Sequence, residues 1–294
     1  YFAPGARPLA IDFPKPGRAY PRPILDRLMR ERLRVQSNVS IVEKKANVER
    51  VSEGFKMTSS DGKTYYSEWL VVADGAGGKA ARWMRGPAEI TGPRLGIRTR
   101  HADLHGLDRV EIHLGQGVDF YLTPLAGGLL NAALMIENPP PEVHGAASLF
   151  AWALARHPSV QQRLGEMSTV ASCVPLQHRY PNQVTDGRAF LIGDAGGVAD
   201  PILGTGLAVA LRTGFQAAEA VAQIKCNASK RNVVQAFRRQ ARAERGPRQK
   251  LAKLLHFASS HERVTRGAVA LLHRTPGLAK RLAATAAGVP LATP

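Results

Sequence analysis

Hydrophobic positions change their spacing several times along the chain, and each change marks a new block. Tyr1 to Tyr20 is rich in Pro and Gly and has no period beyond one short strand expected around Leu9 to Phe13. Leu25, Leu28, Met29 and Leu33 then recur three or four apart, which predicts a helix of about three turns starting near Arg22. From Val39 to Ala73 the pattern is that of strands. Val39, Ile41, Val48 and Val51 carry the first part, Phe55 to Thr58 and Thr64 to Tyr66 flank an Asp61-Gly62 hairpin turn, and Trp69 to Ala73 predicts a buried strand. Arg94 to Ile136 predicts a mostly antiparallel sheet: Val110, Ile112 and Leu114 alternate, Val118, Phe120 and Leu122 follow, and Gly127-Gly128 turns the chain into Leu129 to Ile136. Glu137 to Val143 is a Pro-rich connector, Ala146 to Leu164 a helix broken near Pro158, and Val170 to Val174 a strand. Arg179 to Arg188 leads into a short apolar run, Ala189 to Ile192. Helical spacing returns at Leu207, Ala210, Leu211, Gly214, Ala218 and Val221 and persists to the end. Val233, Val234, Phe237 and Ala241 mark one face, which Gly246-Pro247 is expected to break. Leu251, Leu254, Leu255 and Ala258 mark the next, followed by Val264 to Leu272 and, beyond Pro276, Leu278 to Ala287.

Composition narrows the class. With 294 residues and 44% hydrophobic content the chain suits one large or two modest globular domains. Two cysteines, Cys173 and Cys226, are too few for a disulfide framework and sit in no redox or metal motif, so the reducing cytoplasm is the default. The chain opens on Tyr1, with no charged-then-apolar leader. No run reaches the roughly 18 apolar residues of a membrane span, and Arg212 interrupts the best candidate. The net charge of +17 is concentrated: from Lys225 to Arg281 there are 15 Lys and Arg against Glu244 and Glu262, which is +13 of the total. Such a basic helical region predicts peripheral contact with an anionic membrane surface. A nucleic-acid module would need aromatics interleaved with the basic residues, and only Phe237 and Phe257 occur there, so nucleic acid is not the expected partner. The histidines are scattered: His101 and His105 have no Glu or Cys at ligand spacing, so no metal site is expected.

The stretch carrying chemistry is Arg188 to Gly214, RAFLIGDAGGVADPILGTGLAVALRTG. A buried strand ends in Gly193-Asp194-Ala195, where one carboxylate can accept hydrogen bonds from sugar or ribitol hydroxyls. Gly193, Gly204 and Gly206 allow close backbone approach. The helix opening at Gly204 to Leu207 presents unpaired N–H groups and a positive dipole end, suited to a phosphate or to negative charge on a reduced flavin.

Gly193-Asp194-Ala195, followed by Asp200-Pro201 and Gly204-Thr205-Gly206-Leu207, resembles the second FAD-binding motif of the para-hydroxybenzoate hydroxylase superfamily. Within it the likeness is nearest to geranylgeranyl reductases and flavin-dependent halogenases, because Gly196-Gly197 stands where aromatic hydroxylases carry Ala-His. The resemblance implies an α/β fold with α+β character: an incomplete Rossmann-like FAD-binding domain, discontinuous over 1–90 and 175–225, an inserted antiparallel substrate-domain sheet over 91–174, and a basic helical region over 226–294. It implies FAD as cofactor, with NAD(P)H as electron donor. By the same resemblance Arg22, in an Arg-x-x-Leu-Asp helix, approaches the cofactor. Asp74 and Gly75, ending the strand of EWLVVADGAGGKAARW, lie near its pyrophosphate and ribose. Gly193, Asp194, Pro201, Gly204, Gly206 and Leu207 form the second motif, and Tyr121 and Pro124 of FYLTPLAGGLLNAALMI face the substrate.

Four departures from the family pattern follow. Gly78 stands where the family has Ser and Ala81 where it has Arg, with Arg82 one place late, which weakens a hydroxylase-type NAD(P)H contact. Phe120, Leu122 and Pro124 stand in place of the halogenase Trp-x-Trp-x-Ile-Pro, which argues against halogenation. No Gly-x-Gly-x-x-Gly occurs in a first βαβ unit: Gly115-Gln116-Gly117 lies between sheet strands. A missing N-terminal unit is therefore expected, with weak FAD binding by this chain alone and an exposed sheet edge. Finally, Gly78-Lys79 is no P-loop, since Ala73 and Ala80 occupy the positions of the required Gly and Ser or Thr. There is no serine elbow, and no side chain stands out as acid, base or nucleophile, as expected where a flavin performs the redox step. The expected function is FAD-dependent reduction of a large apolar substrate, prenyl or polyketide in type. The alternative is an NAD(P)H- and O2-using monooxygenase, and the outside alternative a basic nucleic-acid-binding protein.

Overall fold

The computed structural model describes residues 1–3, 5–13, 17–80, 84, 94–170, 174–175, 183–198 and 201–287. Asp200, Ala81, Arg82, Cys173 and most of the expected return from Arg179 lie outside these.

Helix α1 (Arg22–Arg34) forms where the spacing predicts it, yet buries none of its residues. Three strands, β1 (Ala46–Val51), β2 (Gly54–Ser59) and β3 (Thr64–Ser67), form an antiparallel meander. The Asp61-Gly62 turn joins the last two with Thr58 opposite Thr64 and Gly62 at φ +81°. Val39 and Ile41, expected in a strand, precede the meander and are exposed. Leu9 to Phe13 also forms no strand. Leu9 instead packs on Val269 and Ala279, while Phe2 bridges to His113.

β4 (Leu70–Val72) lies parallel to β11 (Ala189–Leu191), with Leu70 opposite Ala189 and Val72 opposite Leu191. One face of this pair, Leu70, Val72, Ala189 and Leu191, is covered by Phe55, Val48 and Met57 of the meander. On the other face Phe190 is fully buried against α4 (Gly206–Lys225) and α5 (Lys230–Ser259) through Ala217, Val233 and Phe237. Its register partner Val71 is 46% exposed, so β4 is not buried on both faces as its apolar run suggested.

The larger sheet runs β10 (Val174–Pro175), β5 (Arg94–Asp103), β8 (Leu129–Glu137), β7 (Val118–Leu125), β6 (Glu111–His113), with β9 (Leu164–Val170) also paired to β5; all pairings are antiparallel. Gly127 and Gly128 both have positive φ and make the tight β7–β8 connection that only glycine accepts without strain. Phe120, Leu122, Leu130, Leu134 and Ile136 on one face pack against α2 (Ala146–Leu154) and α3 (Pro158–Gln161), the two helices expected on either side of the Pro158 break. The opposite face, at Tyr121 and Met135, meets α5, α7 (Pro276–Ala287) and a short turn at Pro201–Leu203.

Two further expectations need correction. In β6 the expected apolar face holds only in part: Leu114 just beyond the strand is buried, but within it Glu111 and His113 are the buried positions, and Val110 is exposed. His113 Nε2–H donates to Glu111 (3.2 Å), Ser159 Oγ–H donates to His113 Nδ1 (3.3 Å), and Arg163 pairs with the other Glu111 oxygen (3.2 Å). Burial, with the nearby His157, the Tyr1 amino group and Arg163, lowers His113 to about 3, so it stays neutral. At Gly246-Pro247 the helix does not break. α5 continues through Pro247 because its apolar stripe stays in phase on both sides, from Val233, Phe237 and Ala241 to Leu251 and Ala252. Arg248 Nη1 donates to the Glu244 carbonyl beside the gap the proline leaves. Helix α6 (Glu262–Arg274) follows as expected.

Candidate cofactor site

The two parallel strands end side by side. Ile192 N–H donates to Val72 O (3.0 Å), which sets Asp74-Gly75 and Gly193-Asp194 next to one another at the carboxyl ends of β4 and β11. In open α/β sheets this is where ligands bind.

Gly193 to Gly196 forms one turn of 3-10 helix. Gly193 has φ +52°, and a Cβ there would lie 3.1 Å from Cβ of Ala210 in α4. Its N–H donates to Thr213 Oγ (2.9 Å), and the Thr213 hydroxyl donates in turn to Val209 O (2.7 Å). A fully buried threonine on α4 thus pins the turn to the helix it precedes.

The other anchor comes from far along the sequence. Arg245 of α5 is buried and donates from Nε to Gly197 O (3.3 Å), from Nη2 to Gly193 O (3.3 Å) and from Nη1 to Ala241 O (3.2 Å). Desolvation lowers its guanidinium to about 10, against the pull of Asp194 and Glu244. A Cβ at Gly196 would meet Leu191 O at 2.5 Å and Arg245 Nη2 at 2.6 Å. Gly196 is therefore demanded by local packing, and its presence no longer points to a reductase-type substrate. The sequence signal for Arg245 was there: it continues the stripe Phe237, Ala241 by one further step of four, a charge on a buried face.

Asp194 is exposed, and Arg245 and Arg22 both bear on its carboxyl electrostatically, although desolvation by its neighbours wins and raises it. Arg22 thus reaches the neighbourhood of the turn while holding Asp26 through Nε and Nη2 (3.0 and 3.1 Å). Asp194 Oδ1 would lie 3.9 Å from a Cβ at Gly206, which places the carboxylate at the start of α4. No side chain caps that helix. Pro201 belongs to the turn before it, accepting from Gly204 N–H (2.9 Å), and Leu207 is 41% exposed.

At the neighbouring turn, Asp74 accepts from Ala80 N–H (2.8 Å), folding back over the helix that starts at Lys79. A Cβ at Gly78 would fall 1.9 Å from the Asp74 carboxyl carbon, so a serine at that position requires the carboxylate to turn away from its place over Ala80 N–H. The glycines of the site thus divide in two. Gly78, Gly193 and Gly196 are packed, whereas Gly75 and Gly204, both with positive φ, have nothing within 4 Å of an added Cβ. A Cβ at either of these glycines would enter open space.

Tyr121 and Pro124 do not share a face. Tyr121 points toward α5, its hydroxyl donating to Ile202 O (2.9 Å). Pro124, three residues along β7, has the parity of Phe120 and Leu122. Tyr121 therefore ties the sheet to the Pro201–Leu203 turn just before the second motif.

No family model matches the sequence, and a search of curated proteins finds no relative. Solved structures do resemble it. The Diels-Alderase PyrE3 of pyrroindomycin biosynthesis superposes with TM-score 0.74 at 16% identity over 92% of this chain and 60% of that one. PqsL, a probable FAD-dependent monooxygenase from Pseudomonas aeruginosa, gives 0.68 at 15% over 83% and 71%. Klebsiella pneumoniae HpxO, complexed with FAD and uric acid, gives 0.66 at 18% over 90% and 72%. The chain spans about three fifths of the length of PyrE3 and has the fold of these proteins along most of its own length.

Proposed function

We propose that the chain is the larger part of an FAD-dependent oxidoreductase of the monooxygenase kind, using NAD(P)H and O2. The observation that carries this reading is the meeting of Asp74-Gly75 with Gly193-Asp194 at the ends of two parallel strands, in front of open glycines and an uncapped helix. The likeness to PqsL, a probable FAD-dependent monooxygenase, supports oxygenation over alkene reduction, and that to HpxO supports FAD as the cofactor. The ground for reduction was Gly196-Gly197, and Arg245 with the Leu191 carbonyl accounts for Gly196.

In this reading Asp194 accepts hydrogen bonds from cofactor hydroxyls, Gly75, Gly204 and Gly206 give room for close approach, and the amino end of α4 stabilises negative charge at Gly206 and Leu207. Arg22 adds a positive charge from the solvent side. Tyr121 holds the substrate sheet against the same turn. When bound, FAD supplies the redox chemistry, two electrons from NAD(P)H used with O2 to oxygenate a large apolar substrate.

The same reading takes β4 and β11 as part of a larger parallel sheet. Val71 is bare on β4, Leu207, Leu211 and Phe215 form an exposed stripe at spacing four on α4, and α1 buries nothing. These surfaces suit a further strand and helix bearing the dinucleotide fingerprint. Incubation with FAD followed by gel filtration tests the cofactor: retained flavin absorbance is expected, weakly held by this chain alone, and NADPH oxidation should consume oxygen without an alkene acceptor. A protein that stays colourless at millimolar FAD defeats the reading.

A further inference from the structure

Arg245 is an unusual group to find where it lies. Charged side chains are rarely buried unless paired, and among the described residues no carboxylate touches this one. Its donors go instead to three backbone carbonyls, two of them, Gly193 O and Gly197 O, bracketing the Asp194 turn. Glu244, its neighbour in sequence, is engaged elsewhere, with Arg212 (3.1 Å) and Arg248 (2.8 Å). The nearby acid acting on Arg245 from the site itself is Asp194. A side chain serving only to fill this space would be apolar, like Phe237 and Ala241 on the same stripe. A neutral amide, with one nitrogen, could serve at most two of these three carbonyls. The arrangement keeps a full positive charge in a poorly solvated position directly behind the turn, where its field is weakly screened.

We infer that Arg245 is a positioning residue for the flavin: its guanidinium fixes the Gly193–Gly197 turn through the carbonyls, and its charge favours the electron-rich reduced cofactor over the oxidised one. This rests on the FAD reading above and adds to it a residue outside both sequence motifs. A Cβ at Gly196 would crowd Nη2 at 2.6 Å as well as the Leu191 carbonyl at 2.5 Å. Carbonyl fixation and charge make separable demands, which two substitutions isolate. Arg245→Gln keeps a donor and removes the charge, whereas Arg245→Lys keeps the charge and loses the forked geometry.

The experiment measures FAD affinity by fluorescence titration and the flavin midpoint potential for the unaltered chain and both variants, after circular dichroism has confirmed folding. Amide exchange at 193–197 is followed without cofactor. Arg245→Gln is expected to lower affinity for reduced over oxidised flavin about tenfold, a potential drop of about 30 mV for a two-electron couple. Arg245→Lys should hold the potential while exchange at the turn rises. If the unaltered chain takes up FAD and Arg245→Gln leaves the potential unmoved, the charge has no role toward the cofactor, and the inference falls while the FAD reading stands. If the unaltered chain takes up no FAD, both fall together. Should Arg245→Gln fail to fold, equal potentials for the unaltered chain and Arg245→Met overturn the inference in the same way.

Discussion

The antiparallel sheet and the parallel pair are built on opposite plans. In the sheet, apolar residues on one face are matched by helices made for them: Phe120, Leu122, Leu134 and Ile136 are essentially inaccessible under α2 and α3. In the parallel pair, Phe190 is covered and Val71 beside it is not, and α4 buries Val209, Thr213 and Ala217 while showing Leu211 and Phe215 to solvent. The sheet is held by apolar contact. The end of the parallel pair is held by side chains that engage its backbone, Thr213 accepting from Gly193 N–H and Arg245 donating to Gly193 O and Gly197 O. Both halves bury polar groups, but in the sheet they pair with one another, as Glu111 does with Arg163 and Asp119 with Ser259, whereas at the parallel pair they hold the backbone of a turn beside bare surface.

The contrast can be broken first at the sheet. Phe120→Ala is expected to cost about 3–5 kcal/mol, read by urea unfolding. Phe215→Ala, on a side chain 73% exposed, should stay within about 0.5 kcal/mol. Equal losses would mean that the stripe on α4 is covered after all.

The next largest effect is pH-dependent and sits where the sheet meets α5. Asp119 is buried, accepts from Ser259 Oγ and from Gly115 N–H (3.3 Å), and is raised to about 6 by desolvation, with His256 lowering it and Glu137 raising it. Its folded value exceeds its unfolded one. The protonated form therefore stabilises the fold below about pH 4, and that contribution is lost as pH rises through about 6. Asp119→Asn should thus raise stability at pH 8 by an amount on the order of 2 kcal/mol and change little at pH 4. A gain independent of pH would refute the ionisation argument.

Thr213→Val comes third. It leaves the Gly193 N–H without its acceptor and should cost about 1–2 kcal/mol, together with weaker FAD binding. The smallest expected effect is at Arg22. Its exposed pair with Asp26 is worth under about 0.5 kcal/mol, so Arg22→Ala should leave the melting temperature unchanged and act only on FAD affinity. A loss of fold would place α1 in the core, against its lack of buried residues.

These positions also show what the sequence made legible. Period and local turn chemistry were readable: the hairpin at Asp61-Gly62, the Gly127-Gly128 turn, the α2–α3 break and the Gly-Asp turn all form as their residues direct. Facing was less readable, because tertiary partners decide it. Glu111 and His113 turn inward since Arg163 and Ser159 satisfy them there. Pro247 lies within a helix since the stripe on either side is already committed to one core. Gly78 and Gly196 stood out as departures from a pattern, and only tertiary structure shows what a side chain there would meet: the Asp74 carboxylate at Gly78, and the Leu191 carbonyl with Arg245 at Gly196. Arg245 was legible as a charge on the buried stripe of Phe237 and Ala241, but its partners are carbonyls, which carry no sequence signature.

Helix α5 has a consequence for how the protein melts. Its 30 residues reach about 45 Å, from Phe237 behind the parallel pair, past Arg245 at the turn and Leu251 under the sheet, to Ser259 at Asp119. A single rod shared by both halves resists piecewise unfolding, since fraying at either end strips contacts from the other. The two halves should therefore melt as one cooperative unit, and a ligand that quiets the backbone at Gly193 should also slow amide exchange around Ser259, about 20 Å along the rod from Arg245.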